Sequence, residues 1–472
     1  MNILQYTGEH TQFLFLRDLI LGPMFFFVIL FIAQRYVKLK SDDIYSKYFV
    51  LGLSIRLCSA IFLALIYQFY YKGGDTCTYF QYESSLRSIL LENPGAYLNL
   101  AFSPNYSNFY ADQYFGTGAA FFASDSARLI IRIAQLLGLF MFNSYILISF
   151  TFTIFCYYGC WKMFKVFREL YPHLEKQIAV SCLFLPSVCF WGSGILKDPI
   201  CMGAIGLLTY HTYKLFFTEN RKVIIRVIVI IICIYVIKSI KVYIVLSFIP
   251  SLALWVIYRT RANISSGFIR SVLGPVFYTL GIFIAVFVLI KFSRDAERYA
   301  VEALVRTAKD TQNWLLYSSQ IQGGSGYSLG NLEYTPLGLL KAAPKAINVT
   351  LFRPYLWEAR KPILIPAAIE GFISLFLTLM LLYKTGFVRF IKMVLANPEV
   401  QFFMVFSLVF AFSVGFTSFN FGSLVRYKIP MMPFYFMALF ILADTEKKES
   451  KLVQPLKPKM KKNKNTMQLS PT

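Results

Sequence analysis

Apolar residues in this chain fall into long runs separated by short polar connections, a pattern that predicts helices crossing a bilayer. A straight crossing needs about 20 predominantly apolar residues. Runs at Leu19 to Tyr36, Tyr48 to Tyr70, Asn143 to Phe164, Gln177 to Trp191 and Lys197 to Phe217 predict five such helices in the first half. Val223 to Ile237 and Val242 to Tyr258 are short for straight crossings, so tilted helices or a broken pair buried among neighbours are expected there. Val272 to Ile290, Ile363 to Tyr383, Gln401 to Gly415 and Ile429 to Leu442 complete the set. The pattern predicts an all-α polytopic membrane protein with about 11 transmembrane helices.

Two long segments interrupt this regularity, residues 71–142 and 291–362. In the first, NPGAYLNLAFSPNYSNFYADQYFG reads as loop, whereas SARLIIRIAQLLGLFMF places Arg128 and Arg132 on a run too polar at its start for a full span. A helix lying in the membrane interface satisfies that pattern. The second opens with DAERYAVEALVRTAKDTQNWLL, whose apolar residues recur at helical spacing, and passes through the flexible GGSGYSLG. It returns to the membrane with Arg353, Glu358, Arg360 and Lys361 among aromatic residues. Loops longer than about 15 residues usually have a functional reason.

Composition agrees with the pattern and removes some classes of function. The chain is 57% apolar and only 15% charged, with a mean hydropathy of +0.56, which a soluble fold of 472 residues would not require. Its net charge of +23 would suggest nucleic acid on a soluble protein. Here the basic residues sit in short connections: Arg35, Lys38, Lys40 and Lys47, then Lys162, Lys165 and Arg168, then Arg259, Arg261 and Arg270, then Lys384, Arg389 and Lys392. Such clusters mark cytoplasmic turns, so the amino terminus is expected outside, the carboxyl terminus inside, and no nucleic-acid partner. MNILQYTGEH lacks a basic start, so the first span reads as retained. Residues 1–47 then form an additional helix, 48–443 the membrane core, and 444–472 a basic cytoplasmic tail suited to anionic lipid. Of eight cysteines only Cys77 lies in a clearly wet segment, and the three histidines are scattered, leaving no histidine cluster for a metal.

Candidate chemistry centres on KGGDTCTYF, Lys72 to Phe80, where the second span ends. An acidic residue behind two glycines at a membrane surface can meet a lipid head group, which makes Asp75 a candidate base; the plainer alternative is that GGD only turns the chain. In Gly192-Ser193-Gly194-Ile195-Leu196-Lys197-Asp198, the Ser193 hydroxyl and the Lys197 ammonium could face an anion, or Lys197 and Asp198 could simply cap the next helix. Arg426 and Lys428 flank Tyr427 and could bind phosphate or snorkel to the interface. Arg353 and Glu358 are either a polar site or a structural ion pair. Glu370 stands inside an apolar run.

The placement of Asp75, Lys197, Arg353, Arg426 and Lys428, with phrases such as FLPSVCFWGSGILKD, LFRPYLWEA and FGSLVRYKIPMMPF, resembles bacterial members of the GT-C superfamily. These are polytopic glycosyltransferases that use a polyprenyl-phosphate sugar donor. The resemblance implies a GT-C-like fold in the bacterial cytoplasmic membrane, an inverting transfer to a glycan, lipid or protein acceptor, Asp75 as base and the basic residues as phosphate contacts. Two features depart from the family pattern: one span precedes the core, and Asp75 has no adjacent second carboxylate, which leaves a divalent metal as an open cofactor. A polysaccharide polymerase or ligase, a lipid transporter and a non-catalytic subunit of an envelope complex are the alternatives.

Overall fold

In the computed structural model, the described residues are 12–102, 109–115, 122, 124–218, 222–262, 326–330 and 336–453. They are all-helical, and no β-strand occurs among them. In chain order the helices are α1 (Leu16–Lys38), α2 (Val50–Leu65, extended by π turns to Tyr45–Tyr71), α3 (Asp75–Glu92), α4 (Pro94–Phe102), α5 (Phe109–Phe115), α6 (Asp125–Phe140) and α7 (Tyr145–Leu170). There follow α8 (Glu175–Ala179), α9 (Pro186–Trp191), α10 (Lys197–Phe216), α11 (Val223–Ile240), α12 (Val242–Ala262), α13 (Pro336–Phe352), α14 (Ile365–Thr385), α15 (Phe387–Ala396), α16 (Pro398–Ser418), α17 (Phe421–Tyr427) and α18 (Met432–Val453).

Among the described residues seven helices are long and apolar enough to cross a membrane, or eight if α17 and α18, bent by 67°, make one broken span. The chain is therefore a multi-pass membrane protein. The expected count of 11 differs for identifiable reasons. Val272 to Ile290 and the amphipathic DAERYAVEALVRTAKDTQNWLL lie outside the described residues. Gln177 to Trp191 is not one helix, because Leu185 is extended and Pro186 starts α9 afresh. Helix α10 is continuous, but Thr209, His211, Thr212 and Lys214 make it less apolar than the spans around it. The pair α11 and α12 reaches 18 and 21 residues, so both have full-length helices rather than the short ones expected. Past Asp444, helix α18 continues to Val453, held by Lys448 bonded to Asp444 at 2.7 Å one turn earlier.

Helix α7 forms the centre of the packing, and small residues let α10 approach it closely. A Cβ on Gly159 of α7 would lie 2.1 Å from the Gly203 carbonyl, and one on Gly206 would lie 2.2 Å from the Gly159 carbonyl. Backbone contact of this kind replaces the hydrophobic drive that lipid cannot supply.

The interruption at Pro186 is satisfied from two sides. Proline carries no N–H for the carbonyl one turn before it, and the buried Arg56 of α2 donates to that Cys182 carbonyl at 3.4 Å and to the Val188 carbonyl at 3.4 Å. At the start of α9, Glu370 of α14 accepts from the Ser187 amide at 2.7 Å and from the Ser187 hydroxyl. A carboxylate there matches the positive end of a helix.

Polar contacts gather at the two ends of α7, which at 26 residues is about 39 Å long. Near Tyr145, the Phe13 amide donates to Gln68, the Ser144 hydroxyl to Asp18, and Thr76 bonds the Tyr145 hydroxyl. Near Arg168, that guanidinium pairs with Asp42 and Glu175, His173 bonds Asp444, Tyr171 bonds Asn397 and Glu399, and Arg259 pairs with Glu399. The first described residues thus lie at one end of the bundle, and α18 runs toward the other.

Candidate active site

At the Tyr145 end, four segments far apart in sequence meet through ion pairs. The chain leaves α2 through Lys72 in the left-handed region, then Gly73 and Gly74, the latter at φ +121°. A side chain at Gly74 would also strike the Tyr67 ring at 2.8 Å, so glycine is required for both reasons. Asp75 is the next residue and the first of α3. Its Oδ2 accepts from Arg426 Nη1 at 2.7 Å, and Arg426 Nε donates to Asp198 Oδ2 at 2.5 Å. The other Asp198 oxygen accepts from Lys241 Nζ at 2.5 Å. Lys241, the single residue between α11 and α12, also lies over the Tyr427 ring at 4.4 Å.

The two carboxylates differ in access. The Asp198 side chain is fully buried, whereas that of Asp75 is 47% exposed. Burying an ion is costly unless it is paired and hydrogen-bonded. Asp198 meets that condition with both oxygens used, so it is fixed, while Asp75 keeps an open side toward solvent. Tyr67 and Tyr79 are the buried electrostatic neighbours of the Asp75 and Arg426 pair.

Lys197 stands beside this chain of ion pairs without joining it. Its ammonium donates to the Ser126 hydroxyl at 2.7 Å, at the start of α6, with the Asp75, Lys241, Arg426 and Asp198 charges around it. Counting these five groups, three cations face two anions, a surplus of one positive charge. That surplus stands beside a half-exposed carboxylate and can pair with an anion.

Of the residues singled out by sequence, the fold brings Asp75, Lys197 and Arg426 together. Ser193 lies apart in its bonding: its buried hydroxyl donates to the Phe190 carbonyl at 2.6 Å and the Cys189 carbonyl at 3.1 Å, which terminates α9. Arg353 and Lys428 belong to a second cluster. Arg353 forms a two-point ion pair with Glu358 and lies over the Phe421 ring at 5.0 Å. Lys428 is buried, donates to the Arg353 carbonyl at 3.0 Å and faces the charge of Glu370. Asp198 and Lys241 are the contributors that sequence reasoning missed. The signal was present: an acid opening an apolar helix and a lysine interrupting an apolar run each need a partner at membrane depth.

A mostly apolar cavity of about 590 Å³ opens between α2, α9 and α14, lined by Ile55, Phe62, Tyr70, Phe190, Trp191 and Pro366 among others. Tyr70 lies in the last turn of α2, immediately before the turn that leads to Asp75. The residues present do not form a metal site. Both Asp198 oxygens are occupied by cationic donors, and no group of three His, Cys, Asp or Glu side chains suited to a metal occurs among the described residues. No known protein-family model matches the chain, and no curated protein or solved structure shows significant similarity to it.

Proposed function

We propose that the protein is a GT-C-like inverting glycosyltransferase of the bacterial cytoplasmic membrane that takes a sugar from a polyprenyl-phosphate donor. The observation that carries this reading is the half-exposed Asp75 held by Arg426 at 2.7 Å beside the surplus charge of Lys197. In this reading the cluster faces outward, the amino terminus is outside, and the lysine-rich tail is cytoplasmic. Segments 71–142 and 291–362 are the outer loops.

Asp75 accepts the proton of an acceptor hydroxyl as that oxygen bonds to the anomeric carbon. The bond from that carbon to the phosphate oxygen breaks in the same displacement, inverting the configuration. Charge growing on the departing polyprenyl phosphate is stabilised by Lys197, with Arg426 adding positive potential while it orients Asp75. In this reading the isoprenoid chain lies in the apolar cavity, whose lining includes Tyr70, five residues before Asp75. Arg353 and Lys428 contribute at one remove, by fixing the segment that carries Arg426. Glycan, lipid and protein acceptors all supply the required hydroxyl.

The test is transfer by purified protein across a panel of polyprenyl-phosphate sugars. Asp75→Asn keeps the volume and removes the base, so the rate should fall about 10²-fold or more while donor binding persists. Lys197→Ala should weaken donor binding as well as turnover. Unchanged product formation by a correctly inserted Asp75→Asn protein would eliminate Asp75 as the base. Absence of both transfer and lipid-phosphate binding across the panel would remove the reading altogether.

A further inference from the structure

Among the described residues, three donor atoms on α6 are buried without a protein partner: Arg132 Nε, Arg132 Nη2 and Gln135 Nε2. Residues three apart on a helix share a face, so the two side chains are neighbours. The amide of Gln135 is oriented, because its Oε1 accepts from the Tyr97 hydroxyl at 2.9 Å and its nitrogen must point away from that bond. Gln135 itself is 2% exposed. Buried polar atoms are normally partnered, and all three of these can only donate, so the matching group is an acceptor.

Charge narrows the choice. The Arg132 guanidinium has Arg128 as a like-charged neighbour, and the nearby acid, Asp125, is bonded to Arg128. Tyr97 and Tyr235 stand beside it. A guanidinium with two adjacent unsatisfied donors favours an oxyanion.

The surroundings show how such a group would arrive. Helix α11, which brings Tyr235, exposes Ile228, Ile231 and Ile232, while α6 exposes Leu136, Leu139 and Phe140. These surfaces match hydrocarbon, so the oxyanion should carry apolar chains. We infer that Arg132 and Gln135, flanked by Tyr97 and Tyr235, bind the phosphate of a membrane amphiphile at the seam of α6 and α11. Ser126, the partner of Lys197, lies earlier on the same helix, about 9 Å along its axis. The site is therefore adjacent to the Asp75 cluster and distinct from it. Only the naming of this amphiphile as a second, lipid-linked substrate rests on the transfer reading; an anionic phospholipid has the same chemistry.

Full-length protein in maltoside detergent micelles, which carry no phosphate, titrated separately with phosphatidylglycerol, a polyprenyl phosphate and inorganic phosphate, tests the site. Arg132→Leu and Gln135→Leu should each weaken amphiphile binding, Arg132→Leu by about tenfold or more. Arg132→Lys should recover part of it, since charge returns without the planar fork. Loss confined to the polyprenyl phosphate identifies a lipid-linked substrate, and equal loss for both amphiphiles identifies bulk phospholipid. Asp75→Asn should leave this binding intact, which separates failure of the site from failure of the transfer reading. Unchanged binding of both amphiphiles by folded Arg132→Leu and Gln135→Leu proteins would overturn the inference, as would inorganic phosphate binding as tightly as either amphiphile.

Discussion

A single guanidinium joins two carboxylates of unequal access, and at the scale of residues this inequality separates structural charge from chemical charge. Asp198 has no exposed surface and no unused oxygen, so it holds Arg426; among the described residues Asp75 receives only Arg426 Nη1 and remains half open. Glu83 of α3 is a different case, a buried carboxyl with few compensating partners. A Cβ on Gly138 would lie 2.0 Å from its Oε1, and the Ser84 hydroxyl donates to Oε2 at 3.2 Å. Burial pushes its pKa up from 4.5 to about 7, against the opposing pull of Ser84, Arg87 and Arg17. The folded protein therefore binds this proton more tightly than the unfolded chain does. Its contribution to stability is full below pH 4.5, is lost as pH rises toward about 7, and then levels off. The span of that window corresponds to at most about 3–4 kcal/mol. Thermal unfolding in detergent from pH 4 to 8 should show the decline in wild type and a flatter profile in Glu83→Gln; parallel profiles would mean that Glu83 does not titrate in this window.

At the scale of elements, the break between α8 and α9 explains two charges that otherwise look functional. Arg56 lies inside α2 and Glu370 inside α14, and a glutamate in an apolar run suggests a transport pathway when only the sequence is read. Their bonds show instead that Arg56 serves the carbonyls around Pro186 and Glu370 serves the amide that starts α9. Sequence periodicity reveals a run from Gln177 to Trp191 but not its interruption, since the partners that make the break tolerable are over one hundred residues away in each case. Arg56→Met retains length and apolar packing while leaving those carbonyls unserved, and each buried group left unsatisfied costs about 1–3 kcal/mol. Glu370→Gln keeps the hydrogen-bonding shape and removes the charge at the helix start, so it should cost less, about 1 kcal/mol. Melting temperatures of the purified variants should fall in that order. Equal stability of Arg56→Met and wild type would show that the break does not depend on Arg56.

For the whole molecule, what the sequence made legible was the alternation of ends, and what it hid was the pairing across them. Basic clusters around Lys47, Arg168 and Arg259 predict successive turns on a common side, and the ion pairs of these residues with Glu175, Asp42 and Glu399 gather at one end of the bundle. Asp75, Lys197 and Arg426 meet at the other end of the bundle, the Tyr145 end. Asp198 and Lys241 were visible only as a helix start and a turn, because nothing local indicates that one buried acid will receive two distant cations. The direction of insertion is tested at exposed residues of the two ends. Glu92 at the end of α3 is on the Asp75 segment, whereas Lys40 and Lys448 belong to the Arg168 end, and all three are exposed enough to label. In a background with the native cysteines replaced, Glu92→Cys should react with a membrane-impermeant thiol reagent in intact cells. Lys40→Cys and Lys448→Cys should react only after permeabilisation, as the basic turns require. The reverse pattern would put Asp75 in the cytoplasm, where a polyprenyl-linked donor presented on the outer leaflet could not reach it, and would remove the proposed transfer while leaving the ion-pair cluster itself unchanged.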